Sequence, residues 1–127
     1  MVKARIKPYV YKPYNQYYID KFKSSDNMLK HARFDGGQVG YFILSRKTGE
    51  MMAYIAWEGD MIIAVEVAPK FQKRGLCSTL LRMAEIRGAN KLTVNKNNTE
   101  AINIYKHLGY KRYKSSSAML FMKKKEN

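Results

Sequence analysis

Val65-Glu66-Val67-Ala68-Pro69-Lys70-Phe71-Gln72-Lys73-Arg74-Gly75-Leu76-Cys77-Ser78-Thr79-Leu80-Leu81 reads as the end of a strand, a tight basic turn and the start of a helix. The run from Met61 to Val67 is apolar and often β-branched except at Glu66, the pattern of a buried strand. Pro69 cannot donate to a sheet ladder and closes that strand. Past Gly75 the apolar spacing changes. Leu76, Leu80, Met83 and Ala84 share one helical face, and Gly88 suits a helix C-terminus, so a helix is expected from Gly75 to Arg87.

The join between strand and helix suits anion binding. The first amides of a helix have no partners inside it and point out of its end. Gly75 has no Cβ to keep a ligand from the backbone, and Lys73 and Arg74 stand just ahead of it. Phosphate is the anion such an end receives best. The same composition also suits an ordinary solvated connection.

Outward from this stretch, Val39 to Arg46 and Met51 to Trp57 read as strands joined by the turn Lys47-Thr48-Gly49-Glu50, and Glu58-Gly59-Asp60 leads into the strand at Met61. Such short turns imply an antiparallel meander. Downstream, Lys91 to Asn95 is a short strand. A helix joins it to the Met61 strand, so the two should run parallel. Thr99 to Leu108 reads as a last helix, stopped by Gly109. Tyr110 to Lys114 and Ala118 to Met122 form a closing hairpin. At the other end, Ala4 to Lys12 is expected as an edge strand because of Pro8. Asn15 caps a helix to about Lys23, and Ser25 or Asp26 caps a short helix through Arg33. Tyr9, Tyr11, Tyr14, Tyr17 and Tyr18 lie among basic residues. They suit either base stacking or the half-buried cover of a small core, and the cover is the expectation. The residues therefore give a mixed sheet flanked by helices.

Gln72-Lys73-Arg74-Gly75-Leu76-Cys77 resembles the Q/R-x-x-G-x-G/A signature of the GCN5-related N-acetyltransferases (GNAT), with Cys77 where that family usually has Gly or Ala. The segment Asn98-Thr99-Glu100-Ala101-Ile102-Asn103-Ile104-Tyr105-Lys106-His107-Leu108-Gly109-Tyr110 resembles the family's later N-x-x-A-x-x-x-Y-x-x-x-G-[FY] segment, in the right order along the chain. The resemblance implies an α/β (α+β) fold: one domain over residues 1–127 with a mixed, mostly antiparallel sheet whose central strands splay apart. It implies acetyl-CoA as cofactor. The amides of the turn Gln72, Lys73, Arg74, Gly75, Leu76 and Cys77 would take the diphosphate, and Ser78 would add its hydroxyl. The pantetheine arm would lie beside Val65 and Val67, and Asn98 would bond it. Tyr105 would face the sulfur as the general acid.

A phenol suits that role, because with a pKa near about 10 it is protonated at neutral pH and can donate to a thiolate of similar basicity. A base is harder to find. Met61 and Thr93 stand where the family keeps one, and neither takes a proton. Glu66 is the carboxylate within the strand, on the face opposite Val65 and Val67 unless a bulge intervenes. A lysine acceptor, with a pKa of about 10.4, needs a strong base, whereas an α-amine near about 7.7–8.0 is already partly neutral. The expected acceptor is therefore an α-amine on a protein N-terminus, an amino acid or an aminoacyl-tRNA.

Lys plus Arg number 24 against 10 Asp plus Glu, a formal net charge of +14. Coenzyme A needs few of these charges. The excess suits an anionic partner, tRNA-linked or ribosomal, or simply a solubility surface. The competing class is a basic nucleic-acid- or protein-binding module on a catalytically weak GNAT fold. With 46% hydrophobic residues the chain should fold. No apolar run spans a bilayer, no leader is expected, and the single Cys77 makes no internal disulfide. A cytoplasmic protein without a metal, monomer or homodimer, is the expectation.

Overall fold

Short turns dictate the first half of the sheet, and helical crossovers dictate the second. The computed structural model describes residues 7–23, 28–29 and 32–125. Its strands are β1 (Tyr9–Pro13), β2 (Val39–Ser45), β3 (Met51–Glu58), β4 (Met61–Val67), β5 (Lys91–Asn95), β6 (Tyr110–Ser115) and β7 (Met119–Lys124). Its helices are α1 (Gln16–Phe22), α2 (Leu76–Ile86) and α3 (Thr99–His107). The sheet order is β1-β2-β3-β4-β5-β7-β6. All neighbours are antiparallel except β4 and β5, between which α2 returns the chain to its starting end.

Two irregularities at β4 shape the molecule. Trp57 faces Ile62 and Ala56 faces Ala64, which leaves Ile63 as the extra residue of a β-bulge. A bulged strand bends. The β4–β5 ladder ends at the same place, with Met61↔Lys91 and Ile62↔Leu92 as its two rungs. Beyond them the strands diverge, which is the expected splay.

The core has two layers. On one face Ile43, Ile55, Trp57 and Ile62 pack under Leu80, Leu81 and Ala84 of α2 and Ile102 of α3. On the other, Phe42, Leu44 and Tyr54 pack with Tyr14 and with Ile19 and Phe22 of α1. Tyr14, Phe42 and Tyr54 stack at 5.6–6.1 Å between centroids. Burying one such ring is worth about 1.5–3 kcal/mol. Tyr9, Tyr11 and Tyr18 pack against the two layers while Tyr17 is exposed, so the N-terminal tyrosines are chiefly core cover. Gly40 on β2 is there because a Cβ would lie 1.9 Å from the Ile55 carbonyl oxygen.

Asn15 caps α1 as expected, its side chain accepting from the Tyr18 N–H at 3.1 Å. The helix expected from Ser25 or Asp26 through Arg33 lies largely outside the described residues, and Met28 and Leu29 within it form a turn. The first strand is shorter than expected, and its expected start at Ala4 lies outside the described residues. At the far end the Tyr110 hydroxyl donates to Glu85 at 2.7 Å. Lys124 pairs with Glu85 and donates to the Leu108 carbonyl, which ties β7 to α2 and to the end of α3.

Candidate active site

Where β4 and β5 part, a cleft of about 720 Å³ opens between β4, the start of α2 and the cleft-facing side of α3. Its floor is the strand–turn–helix stretch. Pro69–Phe71 form one 3₁₀ turn after β4. Lys73 then takes a left-handed conformation with φ 64°, and Gly75 another with φ 77°, before α2 begins at Leu76. A left-handed non-glycine residue costs about 1–2 kcal/mol, so the turn holds Lys73 against its own preference. Gln72 braces the turn by donating from Nε2 to the Val67 carbonyl at 3.2 Å. The Gly75 carbonyl accepts from the Thr79 N–H and hydroxyl, both at 3.0 Å.

This backbone path leaves donors without acceptors. The N–H groups from Lys73 to Ser78 find no acceptor among the described residues. Nothing lies within 4 Å of a Cβ built on Gly75, so an anion can reach these amides. Successive free amides at a helix start, with Lys73 beside them, form an anion receptor. Gln72, Lys73, Gly75, Leu76, Cys77 and Ser78 all line the cleft. Arg74 does not: its guanidinium lies over the Phe71 ring, 5.3 Å from the centroid.

The walls carry the ionisable groups. Val65 and Val67 line the cleft from β4. Glu66 stands opposite Tyr54 in the β3–β4 ladder, on the other face, because the bulge falls before it and alternation holds from Val65 to Val67. The residue still lines the cleft, where the β4 edge is unpaired, and partial burial raises its pKa. Tyr105 enters from α3 and packs edge-on to Tyr110 at 6.1 Å. Burial, then the neighbouring Cys77 and Glu66, push its pKa to about 12, so at neutral pH its hydroxyl is a proton donor. Burial also raises the Cys77 thiol, which keeps it protonated and a poor nucleophile. Asn98 lines the cleft but spends its side-chain oxygen on the N–H of Ala101 at 3.1 Å, as the cap of α3. Its amide NH₂ makes no bond among the described residues.

Met61 and Thr93 do not line the cleft, and neither does His107. Met28, Glu100, Ala101 and Ile104 line it without having been singled out from the sequence. Ala101 lies one turn before Tyr105 on the same face of α3, a signal the helical period carried, while Glu100 and Ile104, themselves one turn apart, form the adjoining row. Met28 comes from a distant part of the chain and carried no local signal. No group of three or more His, Cys, Asp or Glu with metal-holding geometry occurs among the described residues.

A mixed sheet splayed beside an anion-receiving turn, with a protonated tyrosine on the opposite wall, defines an acyl-transferase type of architecture. The acetyltransferase (GNAT) domain model matches residues 27–112, and the chain belongs to that family. N-alpha-acetyltransferase 20 of Dictyostelium discoideum is 34% identical over 113 residues, covering 83% of this chain. The chain spans 61% of that relative's length. Arabidopsis thaliana Naa50, in complex with the bisubstrate analogue CoA-Ac-MVNAL, superposes with a TM-score of 0.70 at 14% identity, over 94% of this chain and 100% of that one. The ribosomal-protein-S18-alanine N-acetyltransferase of Escherichia coli gives a TM-score of 0.63 at 16% identity, over 90% and 91%. At such identities these two structures establish the fold.

Proposed function

We propose that this chain is an acetyl-CoA-dependent N-acetyltransferase whose acceptor is an α-amine, first of all a protein N-terminus. The run of free amides from Lys73 to Ser78, opening onto the cleft that holds Tyr105, carries the reading. Bound acetyl-CoA would supply an activated acetyl thioester. The chain's residues fit it. The amides and Lys73 suit a diphosphate, and the unencumbered Gly75 lets it approach. The cleft side of β4, unpaired beyond Ile62, offers backbone groups beside Val65 and Val67 to an amide-bearing arm. The free NH₂ of Asn98 suits the same arm.

Tyr105 holds a proton ready for a leaving thiolate. Glu66, with its raised pKa, is the carboxylate suited to take one from the acceptor. One partly solvated carboxylate is a modest base, which suits an α-amine better than a lysine. The 34% identity to an N-alpha-acetyltransferase supports the same choice. The test offers acetyl-CoA with a peptide bearing a free N-terminus, a blocked peptide with internal lysines, and an aminoacyl-tRNA, read by mass spectrometry. Acetylation of the free N-terminus is expected. Preferential labelling of internal lysines overturns the α-amine reading, and no labelling with intact acetyl-CoA binding leaves a binding module instead.

A further inference from the structure

The half of the sheet beyond the splay has a face that no described element covers. On β7, Met122 points into the core under α2 and α3. Phe121 and Lys123 therefore point the other way. The ladders bring neighbours to that same face. One row across the three strands is Lys91, Lys123 and Lys111, and the next is Thr93, Phe121 and Lys114. The ladder shifts between Arg112 and Lys114, leaving Tyr113 as the bulged residue. Tyr113 sits edge-on to Phe121 at 6.4 Å and is 43% exposed. Lys114 lies over the Phe121 ring at 5.3 Å and Lys123 over the Tyr113 ring at 5.5 Å.

This arrangement costs stability. Like charges directly opposite in a ladder repel, and among the described residues Lys91 alone of the lysine row is paired, with Asp60 at 2.9 Å. No Asp or Glu occurs in β5, β6 or β7. A face meant only for solubility would alternate its charges. Two rings framed by unneutralised lysines offer instead π-faces for bases and cations for the phosphates between them.

We propose that the open face of β5, β6 and β7 binds a single-stranded polynucleotide, with Tyr113 and Phe121 stacking bases and Lys111, Lys114 and Lys123 on the backbone. The site is separate from the cleft, so it stands or falls independently of the acetyl-transfer reading. It also gives part of the +14 charge a location.

The test is fluorescence anisotropy of the full chain with labelled 12-mers of uridine and of deoxythymidine, and with a duplex of equal phosphate number. The expected result is single-strand binding that Tyr113→Leu with Phe121→Leu weakens about tenfold or more. Lys111→Gln with Lys123→Gln should flatten the slope of log affinity against log salt by about 1.4, two phosphates' worth. Lys47→Gln with Lys106→Gln, the same charge loss elsewhere, should leave that slope nearly unchanged. Acetyl-CoA affinity and the thermal midpoint are read on every variant, so that a folding failure is recognised. Tyr113→Leu alone, at an exposed position, keeps the test available if the double variant unfolds. The ratio of the uridine to the deoxythymidine affinity separates RNA from DNA as the source of the strand. Equal binding of the duplex, equal losses from the control lysines, no effect of the ring variants, or tighter binding of polyglutamate than of either strand each overturns the proposal.

Discussion

The sheet is two unlike halves joined at two rungs. From β1 to β4 it is covered on both faces, and β3 is buried at every position from Met51 to Trp57. From β5 to β6 it is covered on one face, and β6 is exposed at every position but Tyr110. The first half spends its aromatic residues inside, where Tyr14, Phe42 and Tyr54 stack. The second leaves Tyr113 and part of Phe121 outside among lysines. Stability is concentrated in the first half and exposed chemistry in the second. The cleft lies where they meet because neither half's hydrogen-bond pattern continues into the other past Ile62.

The largest test of that division compares two phenylalanines. Phe42→Ala removes a fully buried ring and should cost about 3–5 kcal/mol in chemical denaturation. Phe121→Ala, on the open face, should cost about 1 kcal/mol or less. Equal losses would mean the second half is as tightly bound into the core as the first. At the junction, Tyr105→Phe keeps the ring and its contact with Tyr110 but removes the donor. Steady-state turnover should fall by about 10²–10⁴-fold with acetyl-CoA affinity nearly intact. Full turnover would reduce Tyr105 to packing.

The smallest effect concerns Glu66, which belongs to the covered half but lines the cleft. Its folded pKa lies above the ordinary 4.5 because of burial. Between 4.5 and that raised value the folded chain binds more protons than the unfolded one, so its contribution to stability falls as pH rises through this window. Glu66→Gln should therefore raise the thermal midpoint relative to the parent above the window and leave it unchanged at about pH 4, below it. The opposite pH order would mean a cation holds the carboxylate charged.

The parts legible in the sequence were those with strong local chemistry. β4 spans Met61–Val67 as its apolar run implies. Gly75 marks the start of α2, and Gly88 lies just past its end, with one residue of fraying at each end relative to expectation. Gln72, Lys73, Gly75, Leu76, Cys77 and Ser78 of the turn line one cleft with Tyr105, two segments that the family motifs had picked out separately. The bulge at Ile63 was hidden, because a continuous apolar run shows no alternation whose slip could betray it. The left-handed Lys73 was hidden too, since a lysine is the wrong residue for that conformation and only the surrounding turn imposes it. Arg74 looked equivalent to Lys73 by composition, yet one step along the backbone turns it onto Phe71. The insertion of β7 between β5 and β6 depends on long-range pairing and leaves no mark on any short window.

The short β4–β5 ladder has a consequence for self-association. From Ile63 to Glu66, β4 keeps a raw strand edge in the middle of a sheet, with its carbonyl and amide groups on the β5 side unclaimed. Sheets ordinarily blunt such edges with charges or prolines, because a second chain can add itself there and begin an aggregate. Here the edge is recessed, with the helix start of α2 on one side and α3 on the other. A slender extended molecule suits such a recess better than another sheet does. The fold thus keeps a strand edge available for pairing on the floor of a cleft and not on an open rim of the sheet.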